Sequence, residues 1–259
     1  PTLLQSKSVI YPKIAYPTYL VGALIAKADP IEVDIDPINW PKSDLAWINS
    51  PSNPTGRIHS TSELNAVIEY SRNTGAIIAS DECYLNFPTN EKVPVSILKL
   101  AAGNNQNLLA VHSMSKRSNL AGYRAALIVG DSELIAKIRE IRKHAGMMVP
   151  QPIQRALTVA LSDEKHVAEQ SARYLKRRKI LQPALESAGF KVEFSDAGLY
   201  IWCTRDEDSW KSVEWLANLG ILATPGNFYG NAGAKHIRVA LTSTDEKISD
   251  AASRIMSAK

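Results

Sequence analysis

The chain has 259 residues, 45% hydrophobic and 22% charged, with 30 Lys and Arg against 26 Asp and Glu for a formal net charge of +4. That balance excludes a disordered chain, a collagen-like repeat and a disulfide scaffold, and the length allows one large or two modest domains with a sizeable core. The small basic excess suits anionic small molecules and does not call for nucleic acid.

Residues 8–11 form a short apolar run before a proline and are expected to be a strand. Helical spacing follows over 18–28, then expected strands at 31–35 and 45–49. Ser60, Thr61, Ser62 and Glu63 make a capping box, in which the Ser60 hydroxyl takes an orphan N–H while Glu63 reaches back. The helix it opens buries Leu64, Val67 and Ile68 and is expected to end at Gly75. Residues 76–80, 108–112 and 125–129 are strands of the buried type. Asp131 then opens a helix with the stripe Leu134, Ile135, Ile138 and Ile141. This alternation predicts an α/β layer with a mostly parallel sheet.

Beyond residue 150 the pattern changes. Helices are expected at 150–161 and 163–188, the second kinked at Pro183. Strands at 190–194 and 199–203, a helix at 210–219 closed by Gly220, a strand at 237–241 and a helix at 245–256 complete a smaller α+β domain. Residues 1–167 are therefore expected to form the large domain and 168–259 the small one. The basic run Arg173, Lys176, Arg177, Arg178 and Lys179 covers most sides of one helix with no interleaved aromatics, so a solvated face is expected rather than a nucleic-acid surface. The glycine-rich stretch from Gly226 to Gly233 does not match GxGxxG and is expected to be a flexible connection.

Cys83 and Cys203 form no CxxC pair, which fits a reducing, cytoplasmic setting. His59, His112, His144, His166 and His236 show no HxxxH spacing, so no metal site is expected. No apolar run approaches a membrane-spanning length, and the first residues carry neither the basic nor the apolar part of a signal peptide.

Chemistry collects after three strands. Residues 45–49 run into Ser50, Pro51, Ser52, Asn53, Pro54, Thr55 and Gly56; 76–80 run into Asp81, Glu82, Cys83 and Tyr84; 108–112 run into Ser113, Met114, Ser115 and Lys116. In open α/β sheets, ligands sit outside the carboxyl ends of the strands, where these three segments would converge. Lys116 is an amine able to form a Schiff base. Ser113, Ser115 and Arg124 could hold a phosphate, the arginine through its planar fork. Asp81 could pair with a protonated ring nitrogen, and Asn53 and Tyr84 with a phenolic oxygen. An aldehyde carrying a phosphate, a pyridine nitrogen and a phenolic oxygen is pyridoxal 5′-phosphate.

Taken together, SNPTG (52–56), DECY (81–84), SMSKRSNLAGYR (113–124) and HIRVAL (236–241) resemble the signature segments of the fold-type I, pyridoxal phosphate-dependent class I and II aminotransferases. The order and spacing agree, with Asn53 and Asp81 28 residues apart, Asp81 and Lys116 35, and Lys116 and Arg124 8. The resemblance implies that Lys116 carries the cofactor and shuttles the substrate proton, that Asp81 keeps the pyridine nitrogen protonated, and that Asn53 and Tyr84 contact the phenolic oxygen. It also makes Ser113, Ser115 and Arg124 the phosphate ligands, Tyr16 the ring stacked on the pyridine, and Arg238 the grip on the substrate α-carboxylate beside Asn53. It implies a homodimer acting on an amino acid and a 2-oxo acid. AYPTYLVGALIA (15–26) and KHAGMMVPQPIQRA (143–156) are similar to segments of N-succinyldiaminopimelate aminotransferases of the actinobacterial type, which use 2-oxoglutarate in lysine and diaminopimelate biosynthesis. Such enzymes have an N-terminal arm and an earlier strand–helix segment, so the large domain is expected to be N-terminally incomplete.

Other readings stay open on the residues alone. A β-lyase or decarboxylase would use the same set, and a truncated module of this fold would bind without turnover. Singly, Lys116 is an ordinary surface lysine, Asp81 a helix N-cap, Asn53 a turn residue, Tyr16 and Tyr84 packing rings, and Arg238 a strand-edge charge. His112 and Ser113 beside Asp81 suggest a hydrolase triad, but no GxSxG elbow exists. Cys83 is expected to be a small buried filler.

Overall fold

The computed structural model describes residues 1–89 and 92–258. The first sheet opens with β1 (Ser8–Pro12), whose Val9 and Ile10 are completely buried. Helix α1 (Thr18–Ile25) and strand β2 (Asp29–Val33) follow. The helix stops three residues before the expected end, and the strand starts two residues early. Lys27 takes a left-handed φ of 55°, and the Asp29 N–H then donates to Lys7 O at 2.7 Å, zipping β2 onto β1 from its first residue.

After β3 (Leu45–Asn49) comes α2 (Thr61–Thr74), with the capping box formed as expected. The Ser60 hydroxyl accepts from Glu63 N–H at 3.2 Å, Glu63 accepts from Ser60 N–H at 2.7 Å, and Gly75 ends the helix at φ 77°. Then come β4 (Ile77–Asp81), α3 (Ile97–Leu100), β5 (Leu108–Ser113), α4 (Met114–Arg117), β6 (Ala126–Gly130), α5 (Ser132–His144) and α6 (Gln151–Ser162). The strands lie in the order β2-β1-β3-β4-β5-β6, all parallel except β6, which runs antiparallel to β5. β3, β4 and β5 are thus adjacent and co-directional, with Asn49 opposite Asp81 and Asp81 opposite Val111. Their carboxyl ends open onto one edge.

The second sheet follows α7 (Lys165–Ser187), which is one continuous helix with Pro183 inside it. It comprises β7 (Lys191–Val192), β8 (Tyr200–Thr204), β9 (Thr224–Pro225) and β10 (His236–Ala240), antiparallel in the order β7-β8-β10-β9, with α8 (Ser209–Asn218) and α9 (Asp245–Ser257). Val167, Tyr174, Arg178, Leu181 and Leu185 make the buried stripe of α7, and Ile248, Ala252 and Ile255 that of α9. Among the described residues, no helix is long and apolar enough to cross a membrane.

Three expectations for this half are corrected. Arg178 is not on a solvated face: it is buried, donates from Nη2 to Gly198 O at 3.2 Å and Tyr200 O at 2.8 Å, and burial lowers its pKa to about 10. Its neighbour Arg177 is tied to Asp245 at 2.6 Å. The glycine-rich stretch is a packed corner of two 3-10 turns, Gly226–Tyr229 and Asn231–Gly233, in which a Cβ on Gly226 would meet Gly233 O at 2.2 Å and the Trp202 ring at 2.9 Å. The strand expected at 190–194 is two residues long, because Phe194 and Ser195 turn to φ 54° and 58°.

That turn fastens the second sheet to the first. Ser195 N–H donates to Thr55 O at 2.8 Å, Ala197 N–H to Gly56 O at 2.9 Å, and Gly198 N–H to Phe87 O at 2.8 Å. The Asp196 carboxylate accepts from Ile58 N–H and pairs with Lys92 at 3.0 Å. Gly56 sits at φ 70°, and a Cβ there would lie 2.6 Å from Ala197 O. Gly56→Ala is expected to cost at least about 2 kcal/mol in a urea titration, from left-handed strain plus the collision. Gly75→Ala, at φ 77° with nothing within 4 Å of its Cβ, is the control and should cost only about 1 kcal/mol.

His59 lies under the same junction, buried, its backbone N–H donating to Ser50 Oγ at 3.0 Å and its Nδ1 without a partner. Burial, reinforced by Arg57, lowers its pKa from 6.5 to about 4. The unfolded chain therefore takes up this proton first as pH falls. The stability contribution is complete above pH 6.5 and is lost between there and about 4, on the order of 2–3 kcal/mol. His59→Asn should flatten that part of the stability–pH curve relative to the unmodified chain, as read by denaturant midpoints between pH 4 and 7.5.

Candidate active site

Asp81 ends β4 half-buried, with both carboxylate oxygens in use. Oδ2 accepts from the Tyr19 hydroxyl at 2.7 Å and Oδ1 from Cys83 N–H at 3.1 Å. Its backbone oxygen accepts from Asn49 Nδ2 at 2.9 Å, and Asn49 Oδ1 in turn takes the Asn53 N–H at 2.7 Å. A short hydrogen-bonded chain thus joins the ends of β3 and β4 and sets where the Asn53 side chain emerges.

Lys116, half-buried on the one-turn helix α4, follows the end of β5. Ser113 caps that turn, its hydroxyl accepting from Ser115 N–H at 3.2 Å. Cys83 reports on both neighbours. Burial and then the Asp81 charge push its thiol up, while the Lys116 ammonium pulls the other way. Asp81 and Lys116 thus act on one side chain, and the Cys83 thiol stays protonated. Cys83 is half-buried, beside the site as expected of a filler.

Tyr84 is buried, its ring edge-on to Tyr200 at 6.0 Å with hydroxyls 3.5 Å apart. Burial, and then Tyr200, hold its phenol well above the ordinary value. From the second sheet, Arg238 on β10 donates from Nη1 to Asn53 Oδ1 at 2.9 Å. Its guanidinium lies 3.9 Å over the Tyr200 ring and 5.1 Å from the Tyr229 ring, and Nε is buried without a partner. The two rings and the Asn53 oxygen thus restrict the guanidinium's position.

The residues expected from sequence are therefore gathered unevenly. Asn53, Asp81, Tyr84 and Arg238 are linked through direct contacts or one shared neighbour, and Lys116 stands at the next strand end. Tyr16 is 45% exposed, its ring edge-on to Tyr19 at 6.4 Å. Arg124 is exposed in a left-handed turn at φ 53° and donates to Ala121 O at 2.9 Å. It lines a cleft of about 450 Å³ with Leu127, Ile138, Met147 and Leu157, a cleft whose lining does not include Ser113 or Ser115. His112 faces Glu82 at 3.4 Å and not Asp81, so the hydrolase arrangement is not formed. Tyr19, Asn49, Tyr200 and Tyr229 escaped the sequence reading. For Tyr19 a signal was present, since it stands one helical turn beyond Tyr16.

The donor set matches a phosphorylated pyridine aldehyde at its ring end: a fixed carboxylate, a primary amine, a neutral phenol and an amide. Arg238 Nε has no hydrogen-bond partner among the described residues.

Comparison with known proteins agrees with this geometry. A family model described as "Aminotransferase class I and II" matches residues 2–255. Over 98% of the chain, 49% of residues are identical to "Probable aminotransferase Rv1178" of Mycobacterium tuberculosis, of which 62% is covered. Over 96% of the chain, 46% are identical to the "4-dedimethylamino-4-oxo-anhydrotetracycline transaminase OxyQ" of Streptomyces rimosus, of which 70% is covered. An LL-diaminopimelate aminotransferase of Aquifex aeolicus is 32% identical over 97% of the chain and 69% of its own length. The chain thus spans 62–70% of these relatives. Among solved structures, N-succinyldiaminopimelate aminotransferase from Mycobacterium tuberculosis superposes with a TM-score of 0.88, covering 100% of this chain and 74% of that one at 22% identity, a likeness of fold.

Proposed function

The chain belongs to the class I and II aminotransferases, a family dependent on pyridoxal phosphate, and on that premise we propose that it is the greater part of an enzyme exchanging an amino group between an amino acid and a 2-oxo acid. The observation that carries this reading is the 2.9 Å bond from Arg238 Nη1 to Asn53 Oδ1. It brings an arginine of the second sheet to the edge of the first, where Asp81 and Lys116 stand. The proposal divides the labour near residue 167: residues 1–167 hold the cofactor and 168–259 deliver the carboxylate grip.

When bound, pyridoxal phosphate supplies an aldehyde that condenses with amines and a ring that takes up the electron pair of an α-carbon. Asp81 faces the ring nitrogen and keeps a proton there. Tyr84 and Asn53 hold the phenolic side, and Tyr16 covers the ring. Ser113, Ser115 and Arg124 are assigned to the phosphate, with Arg124 having to leave Ala121 O to reach it. Lys116 Nζ would be the amine that holds the cofactor aldehyde and the base for the donor's α-proton. Arg238 orients the donor by its carboxylate, so that the α C–H bond faces Lys116. Release of the first product before entry of the second substrate gives ping-pong kinetics.

For the substrates, the proposal is N-succinyl-LL-2,6-diaminopimelate as donor and 2-oxoglutarate as acceptor, in a cytoplasmic homodimer of lysine and diaminopimelate biosynthesis. The support is the pair of sequence segments at 15–26 and 143–156, together with a relative named for LL-diaminopimelate. A second reading has its own support in the 46% identity to OxyQ: an acceptor that is a ketone on a polycyclic intermediate. Single-turnover assays with both acceptors separate the two.

Two variants of the complete enzyme test the reaction itself. Lys116→Ala is expected to lose turnover and, after dialysis, the visible absorbance of the bound cofactor. Retention of both would remove Lys116 from its role. Arg238→Lys keeps the charge and loses the fork, so KM for the amino donor should rise roughly 10- to 100-fold with the unfolding midpoint nearly unchanged. An unaltered KM moves the carboxylate contact elsewhere.

A further inference from the structure

We propose that Tyr19 is a positioning residue of this site, holding the Asp81 carboxylate in the one orientation that meets the cofactor's ring nitrogen. The inference rests on the reading of Asp81 given above and extends it to a residue outside the signature segments.

Four observations carry it. The Tyr19 hydroxyl donates to Asp81 Oδ2 at 2.7 Å, a charge-assisted bond across elements 62 residues apart in sequence. The donor cannot swing away, because Tyr19 is buried to 5% exposure and its ring stacks on Trp47 at 5.0 Å and 18°. It also remains a donor at any ordinary pH, since burial and the Asp81 charge hold its phenol well above the usual value. Finally, Cys83 N–H occupies the other oxygen at 3.1 Å. A carboxylate tethered through both oxygens has lost its rotation, yet each oxygen keeps a lone pair for one more donor. The ring-nitrogen proton is the donor that the proposed reaction brings.

The placement of Tyr19 gives the arrangement a second consequence. Tyr16 and Tyr19 lie one turn apart at the start of α1, their rings edge-on at 6.4 Å and 78°. The ring assigned to cover the cofactor and the hydroxyl that steadies its charge partner are thus tied by one backbone bond, Tyr19 N–H to Tyr16 O at 3.2 Å, at the entry to α1.

The test is a double-mutant cycle on the complete enzyme, with pyridoxal phosphate titrated into the apoprotein and the dissociation constant read from absorbance. Tyr19→Phe keeps the ring and removes only the hydroxyl. It is expected to weaken binding roughly tenfold or more and to lower kcat with little change in KM. In the Asp81→Asn background the same change should shift binding by no more than about twofold, because the charge it served is gone. An unchanged affinity in Tyr19→Phe, or an equal loss in both backgrounds, overturns the proposal and leaves Tyr19 a packing residue. Full affinity in Asp81→Asn by itself instead sinks the reading of Asp81, and the proposal with it. Should Tyr19→Phe fail to fold, the unmutated enzyme supplies the readout. A slowly exchanging, downfield hydroxyl proton should be present and should vanish in Asp81→Asn, and its absence overturns the proposal.

Discussion

A carboxylate at the end of a buried strand must be met by donors, or it gives up its charge. Asp81 is met twice through its side chain, by Tyr19 from α1 and by the backbone of Cys83, and a third time through its carbonyl by Asn49 from the neighbouring strand. Two of these donors have a second attachment: Tyr19 stacks on Trp47, and Asn49 fixes the Asn53 backbone. The contacts gathered on this one residue, to its charge and to its carbonyl, thus join α1, β3 and β4 at the carboxyl edge of the sheet, up to the loop that meets Arg238.

The second sheet reaches that edge through a different kind of interaction. Besides the side-chain packing of Tyr84 and Phe87 into its core, it is bonded main chain to main chain, through residues 194–198 against 55–58 and 87–89, and this contact tolerates no side chain at Gly56. Such a contact fixes direction more tightly than a patch of apolar side chains does, because hydrogen bonds weaken steeply off axis. That precision matters for Arg238. Its guanidinium lies over Tyr200 and Tyr229; the Tyr200 ring is met by Tyr84, and the Tyr229 ring by Trp202, whose own ring stacks on His236 at 4.9 Å. A displaced strap would move the entire aromatic pedestal and carry the arginine off Asn53.

Much of this was legible in the sequence where local and tertiary preferences coincide. β3, β4 and β5 are buried on both faces and read as continuous apolar runs, so their ends, and the chemistry attached to them, could be placed from pattern alone. The α2 capping box is likewise a local signal, decided within four residues. What escaped detection depends on partners far away in the chain. Arg178 sits in a basic run that reads as solvated, and only the carbonyls of Gly198 and Tyr200 explain its burial. The short strand Thr224–Pro225 exists because β10 offers an edge. Tyr19 shows a spacing from Tyr16, but its acceptor Asp81 is 62 residues away and only the fold brings the two together.

The contrast between the two ends of the site has the same origin. At the ring end Asp81, Asn53 and Tyr84 are held by contacts within the chain. At the phosphate end Ser113 spends its hydroxyl on the first turn of α4, and Arg124 folds back on Ala121. A half-buried carboxylate at a strand end is compensated by donors of the folded chain before any ligand arrives. A guanidinium on an exposed turn can wait, since water compensates it at little cost. The order of assembly follows: the half of the site that manages buried charge is built by folding, and the half that manages exposed charge is completed by the anion it binds.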